Sequence, residues 1–159
     1  MAMVDLMNLE DQVDKDFALA WRRARLGRLK ALLLGRATRS TLLSSDGIHR
    51  TVSASGGVYR GRRPVEASRI VGSVGKHEQF DQNFMPLSKA SVEKWKRIDR
   101  AFRLGQELPA VSLLELGREY FVNDGNHRVS VARFHGVEWI DADVTEVKSR
   151  SPRRRTRPL

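Results

Sequence analysis

Apolar residues recur at roughly helical spacing along residues 9–35, and this pattern predicts one long helix. Arginines and Lys30 fall on or beside the opposite face, and Gly35 is the expected stop. A basic amphipathic helix of this kind lies on a membrane, on a second subunit or on its own domain. We expect the helix to pack on a second subunit or on its own domain, and the first of these would make the protein a homodimer. The apolar positions are Leu9, Val13, Phe17, Ala20, Ala24, Leu26, Leu29 and Leu33.

Serine, threonine, glycine and arginine dominate residues 36–63, where no period is sustained. Short alternations near residues 48–59 allow an irregular hairpin, but a loop this long inside a compact domain is uncommon. We therefore expect an N-terminal helical region over 1–40, a linker over 41–63 and a separate domain over 64–147.

The pattern sharpens from residue 64 onward. Ile70 and Val71 predict a strand that enters a glycine-bearing loop. Ser88 is the expected N-cap of a helix that runs to Arg103 and ends at Gly105.

The second half of this domain predicts two paired strands, a helix and a last strand. The β-rich runs over 109–116 and 120–123 flank a short turn and predict a hairpin. A short helix over 129–135 and a strand over 139–147 follow. The expected fold class is α+β, a small mixed sheet with helices, preceded by the long amphipathic helix.

The net charge of +10 is concentrated in two flanks. Residues 1–16 hold five acids and one lysine, whereas residues 17–39 hold six arginines, one lysine and no acid. Residues 40–147 are nearly neutral, and residues 148–159 hold one lysine and five arginines. A basic flank either binds nucleic acid or stays a solvated tail. We expect a disordered tail over 148–159, in which the candidate contacts to DNA or RNA are Arg153, Arg154 and Arg155.

The chain of 159 residues has no cysteine, which excludes a disulfide scaffold, thiolate catalysis and cysteine-ligated metal sites. Its four histidines do not fall at metal-ligand spacings, so we predict no metal-ligating residue. No apolar run is long enough to span a bilayer, and the acidic start lacks the features of a signal peptide. These observations predict a soluble protein of the cytoplasm.

The most informative stretch is YFVNDGNHRVSVARFHG, residues 120–136, which predicts a strand, a tight turn and a helix. A helix start presents unpaired N–H groups and the positive end of the helix dipole. Gly125 lets the backbone approach a ligand, Arg128 supplies a forked donor, and Asn126 and His127 add polar groups. The turn is a candidate phosphate site; the alternative is a plain turn with Asn126 as a cap.

The tetrad Gly125-Asn126-His127-Arg128, preceded by Asp124, resembles the Gly-x-x-Arg signature of the ParB/sulfiredoxin superfamily. That turn is GERR in partition proteins, GCHR in sulfiredoxins and DGHTR in free-serine kinases. The order of paired strands, motif, helix, glycine and strand over residues 64–147 is also similar. The resemblance implies a ParB/sulfiredoxin-like fold. It further implies a nucleoside triphosphate or diphosphate, with or without Mg²⁺, whose phosphates residues 125–128 cradle.

The resemblance also implies NTPase or phosphotransferase chemistry, because partition proteins hydrolyse CTP and serine kinases transfer phosphate from ADP. Asn126 stands where sulfiredoxins carry their cysteine, which excludes sulfiredoxin chemistry. Twelve residues follow Val147, so we expect no DNA-binding domain of the partition type. Asp124 and Glu78 are the candidate catalytic acids, which would orient water, an acceptor or a metal ion, and Glu66 is the alternative to Glu78.

The loop GSVGKH over residues 72–77 is a second candidate site. Two residues separate its glycines instead of four, and His77 follows Lys76 where a phosphate-binding P-loop has Ser or Thr. A glycine-bearing strand end is the simpler interpretation. If the motif domain is correct, this loop lies beside the phosphate site, and Ser73, Lys76 and His77 are second-choice contacts.

Two functions of different classes follow from these patterns. The first is a nucleotide-binding domain, and binding residues alone do not decide whether it turns its ligand over. The second is a non-enzymatic nucleic-acid-associated or regulatory protein that binds through its basic flanks.

Overall fold

The computed structural model describes residues 2–35, 43–44 and 56–147, which form three α-helices and six β-strands. The helices are α1 (Ala2–Leu33), α2 (Val92–Arg103) and α3 (Asn126–Phe134). The strands are β1 (Leu43–Ser44), β2 (Gly57–Glu66), β3 (Ile70–Ser73), β4 (Val111–Leu116), β5 (Glu119–Asp124) and β6 (Trp139–Val147). Short 3₁₀ turns span Ala67–Arg69, His77–Gln79 and Lys89–Ser91.

The strands form one mixed sheet in the order β1-β3-β5-β4-β6-β2. The β4/β5 and β2/β6 pairs are antiparallel, whereas the β1/β3, β3/β5 and β4/β6 pairs are parallel. This confirms the predicted α+β class with a small mixed sheet. Strands β3 and β5 are parallel neighbours, so their carboxyl ends lie at the same end of the sheet. The loop after Ser73 and the turn after Asp124 therefore begin close to each other.

Three apolar clusters lie among the described residues, and two of them join the helices to the sheet and to one another. The first joins the sheet to α3 and to the loop before α2, through residues that include Ile70, Phe80, Phe84, Leu113, Val122 and Val129. The second joins the three helices and is centred on Trp95, which is fully buried. The indole Nε1–H of Trp95 donates a hydrogen bond to Ser130 Oγ at 2.9 Å, which ties α2 to α3.

Several predicted boundaries are confirmed. Ser88 Oγ accepts a hydrogen bond from the Ala90 N–H at the start of the turn that leads into α2. Gly105, with φ of +65°, follows the last turn of that helix. The hairpin and the last strand also lie where the pattern predicts them. The helix α3 begins at Asn126, three residues before the predicted start.

The prediction of a linker over 41–63 is wrong for its last seven residues. Strand β2 begins at Gly57 and pairs with β6 from Gly57↔Val147 to Glu66↔Trp139. Its first residues are exposed, so they carry little of the alternation by which a strand is recognised in a sequence. Residues 45–55 lie outside the described part of the chain, as does the first part of the irregular hairpin that the alternation near residues 48–59 allows.

Helix α1 packs through a narrower face than the pattern predicts. Val13, Ala20 and Ala24 are fully buried, as predicted, and the two alanines pack against α2 and α3. The same face was expected to bury Leu26, Leu29 and Leu33, but they are 52%, 54% and 78% exposed. The alanines allow a close approach to Trp95, and the three leucines lie on the opposite side of the helix.

Three ion pairs reinforce the contact between α1 and α2. They join Glu10 to Arg100, Asp14 to Lys96 and Asp16 to Arg103. The acidic first half of α1 therefore lies against basic side chains of α2. None of the described helices is both long and apolar enough to cross a membrane.

Candidate functional site

The turn between β5 and α3 is built around Gly125. This residue has φ of +105°, a conformation that side-chain-bearing residues rarely adopt. A Cβ at this position would lie 2.8 Å from Val111 Cγ1 and 3.0 Å from Arg128 Nε and Nη2. Glycine is therefore required for two independent reasons: the positive φ, and the lack of room for a Cβ beside Val111 and Arg128.

The guanidinium of Arg128 lies across this turn and is already bonded within the protein. Its Nη1 donates to the carbonyl oxygens of Pro109 and Ala110, at 2.7 and 3.1 Å. Its Nη2 donates to Asp124 Oδ2 at 2.6 Å. Three of its five N–H donors thus fix the turn to the segment before β4. Arg128 is first a positioning residue, with two donors left for a ligand.

Asn126 and His127 point inward at the start of α3, where 5% and 4% of their surface is exposed. Asn126 Oδ1 and His127 Nε2 are buried without a hydrogen-bond partner. The His127 ring packs edge-on against Phe80, with 5.2 Å between the ring centroids. Burial, followed by the positive charges of Lys94 and Lys76, lowers the pKa of His127 to about 4. The imidazole is therefore neutral at pH 7.

These residues form one wall of a pocket of about 450 Å³, which we name the α3 pocket. Residues 123–128 contribute that wall, and Lys76 after β3 and Lys94 on α2 contribute two cations. Asp124 is the one acid among the described residues that line the pocket, and it is paired with Arg128. The other lining residues are apolar: Val74, Ile98, Leu108 and Pro109. The pocket therefore combines a helix N-terminus, two lysines and an apolar wall.

No protein-family model, no curated protein and no solved structure matches this chain.

The structure brings most of the predicted motif residues together. Asp124, Gly125, Asn126, His127 and Arg128 all line the α3 pocket. The loop after β3 reaches the pocket as well, because Lys76 lies there.

Other predicted residues lie elsewhere. Ser73 is fully buried and donates to the Val122 carbonyl oxygen at 3.4 Å, so it supports the sheet and does not line the pocket. Glu78 is exposed on the turn His77–Gln79 and is not among the pocket residues. The side chain of His77 lies outside what the structure describes, as do Arg153, Arg154 and Arg155.

Lys94 is the functional candidate that the sequence pattern missed. It precedes Trp95 on α2, and as an exposed lysine on an amphipathic helix it has no local signal that distinguishes it from Arg97. Only the packing of α2 against α3 brings its ammonium group to the pocket. Ile98, one turn later on the same helix, belongs to the apolar wall for the same reason.

A second polar cluster lies at the other end of α3. Ligand-type atoms of Asp16, Asp99 and His135 lie within 4.8 Å of one another, although the sequence spacing predicts no metal site. His135 Nε2 lies 2.6 Å from Asp99 Oδ1. Arg103 Nε lies 2.8 Å from Asp16 Oδ2 and 3.6 Å from Asp99 Oδ2, so a guanidinium already supplies the counter-charge. This cluster joins α1, α2 and α3.

Proposed function

We propose that the α3 pocket binds the phosphate groups of a nucleotide, as the resemblance to the ParB/sulfiredoxin superfamily implies. The observation that carries the proposal is the meeting of a helix N-terminus and two lysines in one pocket. Backbone N–H groups at a helix start have no partner inside the helix, and the dipole favours an anion there. Lys76 and Lys94 add charge that no unpaired acid of the pocket cancels.

The rest of the pocket suits the remainder of a nucleotide. Val74, Ile98, Leu108 and Pro109 offer apolar surface to a base or a sugar. Asn126 Oδ1 and His127 Nε2 are polar atoms without partners, and a small shift on ligand binding would give them hydrogen bonds. A purely inorganic phosphate site would have no use for the apolar wall.

The resemblance implies a nucleotide with or without a magnesium ion. Asp124 is the carboxylate that the pocket offers to such an ion, and its side chain is 74% exposed at the pocket wall. A single carboxylate fits a magnesium ion that is held mainly by the phosphates. In a reaction, Asp124 would orient water or an acceptor, and Arg128 would hold Asp124 in place through the 2.6 Å bond. Glu78 has no part in this arrangement.

Thermal shift measurements with ATP, ADP, CTP, GTP and UTP, each with and without magnesium, test the proposal. We expect at least one nucleotide to raise the melting temperature of the wild type, because a ligand that binds the folded state stabilises it. Lys94→Ala should lose most of this shift. Arg97→Ala is the matched control, because Arg97 is an exposed cation on the same helix outside the pocket. No shift for any nucleotide, or equal losses in both variants, would refute the site.

Turnover is tested separately with the nucleotide that binds. Asp124→Asn should keep the thermal shift that the nucleotide gives without magnesium and should abolish phosphate release if Asp124 orients the attacking group. Equal rates of hydrolysis in Asp124→Asn and wild type would mean that Asp124 has no part in the reaction.

The charge distribution favours a second candidate function. Residues 148–159 carry six cations and no acid, so we propose nucleic-acid contact through this tail as the alternative. The logarithm of the affinity would then fall with the logarithm of salt concentration, with a slope of about −0.9 for each phosphate neutralised on duplex DNA. Deleting 148–159 should flatten that slope, and an unchanged slope would exclude the tail.

A further inference from the structure

The second half of α1 carries an apolar row on the side that faces away from the domain. Leu19, Arg22, Leu26, Leu29 and Leu33 follow one another in alternating steps of three and four residues, which is the spacing of a coiled-coil seam. The four leucines, which we name the leucine seam, are 41% to 78% exposed. Large apolar patches that remain exposed on a folded protein are typical of interaction sites.

A groove beside the seam extends this apolar surface. It has a volume of about 790 Å³ and runs between α1 and the segment that precedes α2. Its apolar lining includes Trp21, Leu32 and Leu87, in addition to Leu26 and Leu29 of the seam. A partner helix on the seam would therefore contact the body of the domain as well as α1.

Basic side chains flank the seam on both sides. Arg23 and Lys30 follow the seam positions on one side, and Arg25 lies on the other. Residues 17–45 contain no acid at all. In a coiled coil, the charges at these flanking positions select the partner.

We propose that the leucine seam docks an amphipathic helix of another protein, one with an apolar leucine-type stripe and acidic flanks. This inference is independent of the nucleotide site. A second copy of α1 fits poorly, because it would bring Arg23, Arg25 and Lys30 against identical cations. A membrane surface fits poorly as well, because Arg22 lies within the row and Arg25 and Arg28 line the groove beside it. Interfacial helices instead keep their charged residues on the face opposite the apolar one.

A designed three-heptad helical peptide with leucine in its a and d positions and glutamate in its e and g positions is the probe. The matched peptide has lysine in place of each glutamate. We expect the full-length protein to bind the glutamate peptide at least about tenfold more tightly than the lysine peptide, measured by fluorescence anisotropy at low salt. The double variant Leu26→Gln/Leu29→Gln should weaken that binding at least about tenfold, because each leucine contributes buried apolar surface.

A charge-reversal variant tests the specificity. Arg25→Glu/Lys30→Glu should lose the preference for the glutamate peptide and shift it toward the lysine peptide. Unchanged melting temperatures of all variants would show that the fold is intact.

Three results would overturn the proposal. The first is equal affinity for the two peptides, or none for either. The second is self-association of the wild type in sedimentation that Leu26→Gln/Leu29→Gln abolishes, which would assign the seam to a second copy. The third is cosedimentation with phosphatidylserine vesicles that depends on the same leucines and is not displaced by the glutamate peptide, which would assign the seam to a membrane.

Discussion

Gly125 is the residue on which the geometry of the α3 pocket depends. Gly125→Ala would place a methyl group 2.8 Å from Val111 and 3.0 Å from Arg128, in a backbone conformation that alanine avoids. We expect a loss of roughly 1–3 kcal/mol in the free energy of unfolding, together with loss of any nucleotide-induced shift. Chemical denaturation measures the first effect and thermal shift the second. Gly136→Ala is the control: it shares the positive φ but has nothing within 4 Å of its Cβ, so it should leave ligand binding intact.

His127 makes the stability of the protein depend on pH. Its pKa is about 4 in the folded protein, compared with 6.5 for an ordinary histidine. The unfolded chain therefore takes up a proton between these values while the folded protein does not, so stability falls as the pH drops from 6.5 toward 4. The full effect of this one group is roughly 3 kcal/mol.

The measurement is the free energy of unfolding of wild type and His127→Gln at pH 7 and pH 5. Wild type should lose more stability than the variant over this interval. Burial raises the pKa values of Asp81 and Asp99, and these carboxyl groups act in the opposite direction, which is why the variant is needed as a reference. Parallel pH profiles would contradict the assignment.

At the scale of elements, the buried hydrogen bond from Trp95 to Ser130 joins α2 to α3. Ser130→Ala would leave the indole N–H of Trp95 buried without an acceptor. An unsatisfied buried donor costs about 1–3 kcal/mol, so we expect a loss of that size in denaturant unfolding. Ser68→Ala, at an exposed serine, should change stability by less than about 0.5 kcal/mol. Similar stabilities for the two variants would mean that Trp95 finds another acceptor.

The elements from residue 64 onward were the most predictable part of the fold. Alternation in β6, the cap at Ser88 and the glycine at 105 are local signals, and the structure agrees with each. The strand β2 was not predictable, because its exposed half is defined by pairing with β6 rather than by its own apolar pattern.

The candidate site also has some residues that the sequence predicts and others that it does not. Residues 124–128 follow one another, so a local motif identifies them, whereas Lys94 reaches the pocket only through helix packing. Ser73 is predicted as a contact because it shares a loop with Lys76, and Glu78 because the serine kinases that the motif resembles use an acid near the start of the domain. Ser73 is fully buried and Glu78 is exposed, and neither is among the residues that line the pocket.

At the scale of the whole molecule, α1 docks through small residues and leaves large ones in solvent. Ala24→Leu adds volume to a fully buried position, and overpacking should destabilise the protein by about 1–3 kcal/mol. Leu29→Ala, at an exposed position, should change stability by less than about 0.5 kcal/mol. Thermal unfolding of the two variants measures this difference, and Ala24→Leu should have the lower melting temperature. A lower melting temperature for Leu29→Ala would mean that α1 packs through its leucines.

The pairing of β2 with β6 has a consequence for synthesis on the ribosome. Strand β2 lies at the edge of the sheet, and its one partner among the described strands is β6, the last strand of the described chain. While the intervening residues are being made, β2 has nothing to pair with, and an unpaired strand is prone to associate with other chains. The arginines at positions 60, 62 and 63 give the unpaired strand a positive charge. Repulsion between these charges opposes association of two nascent chains along β2.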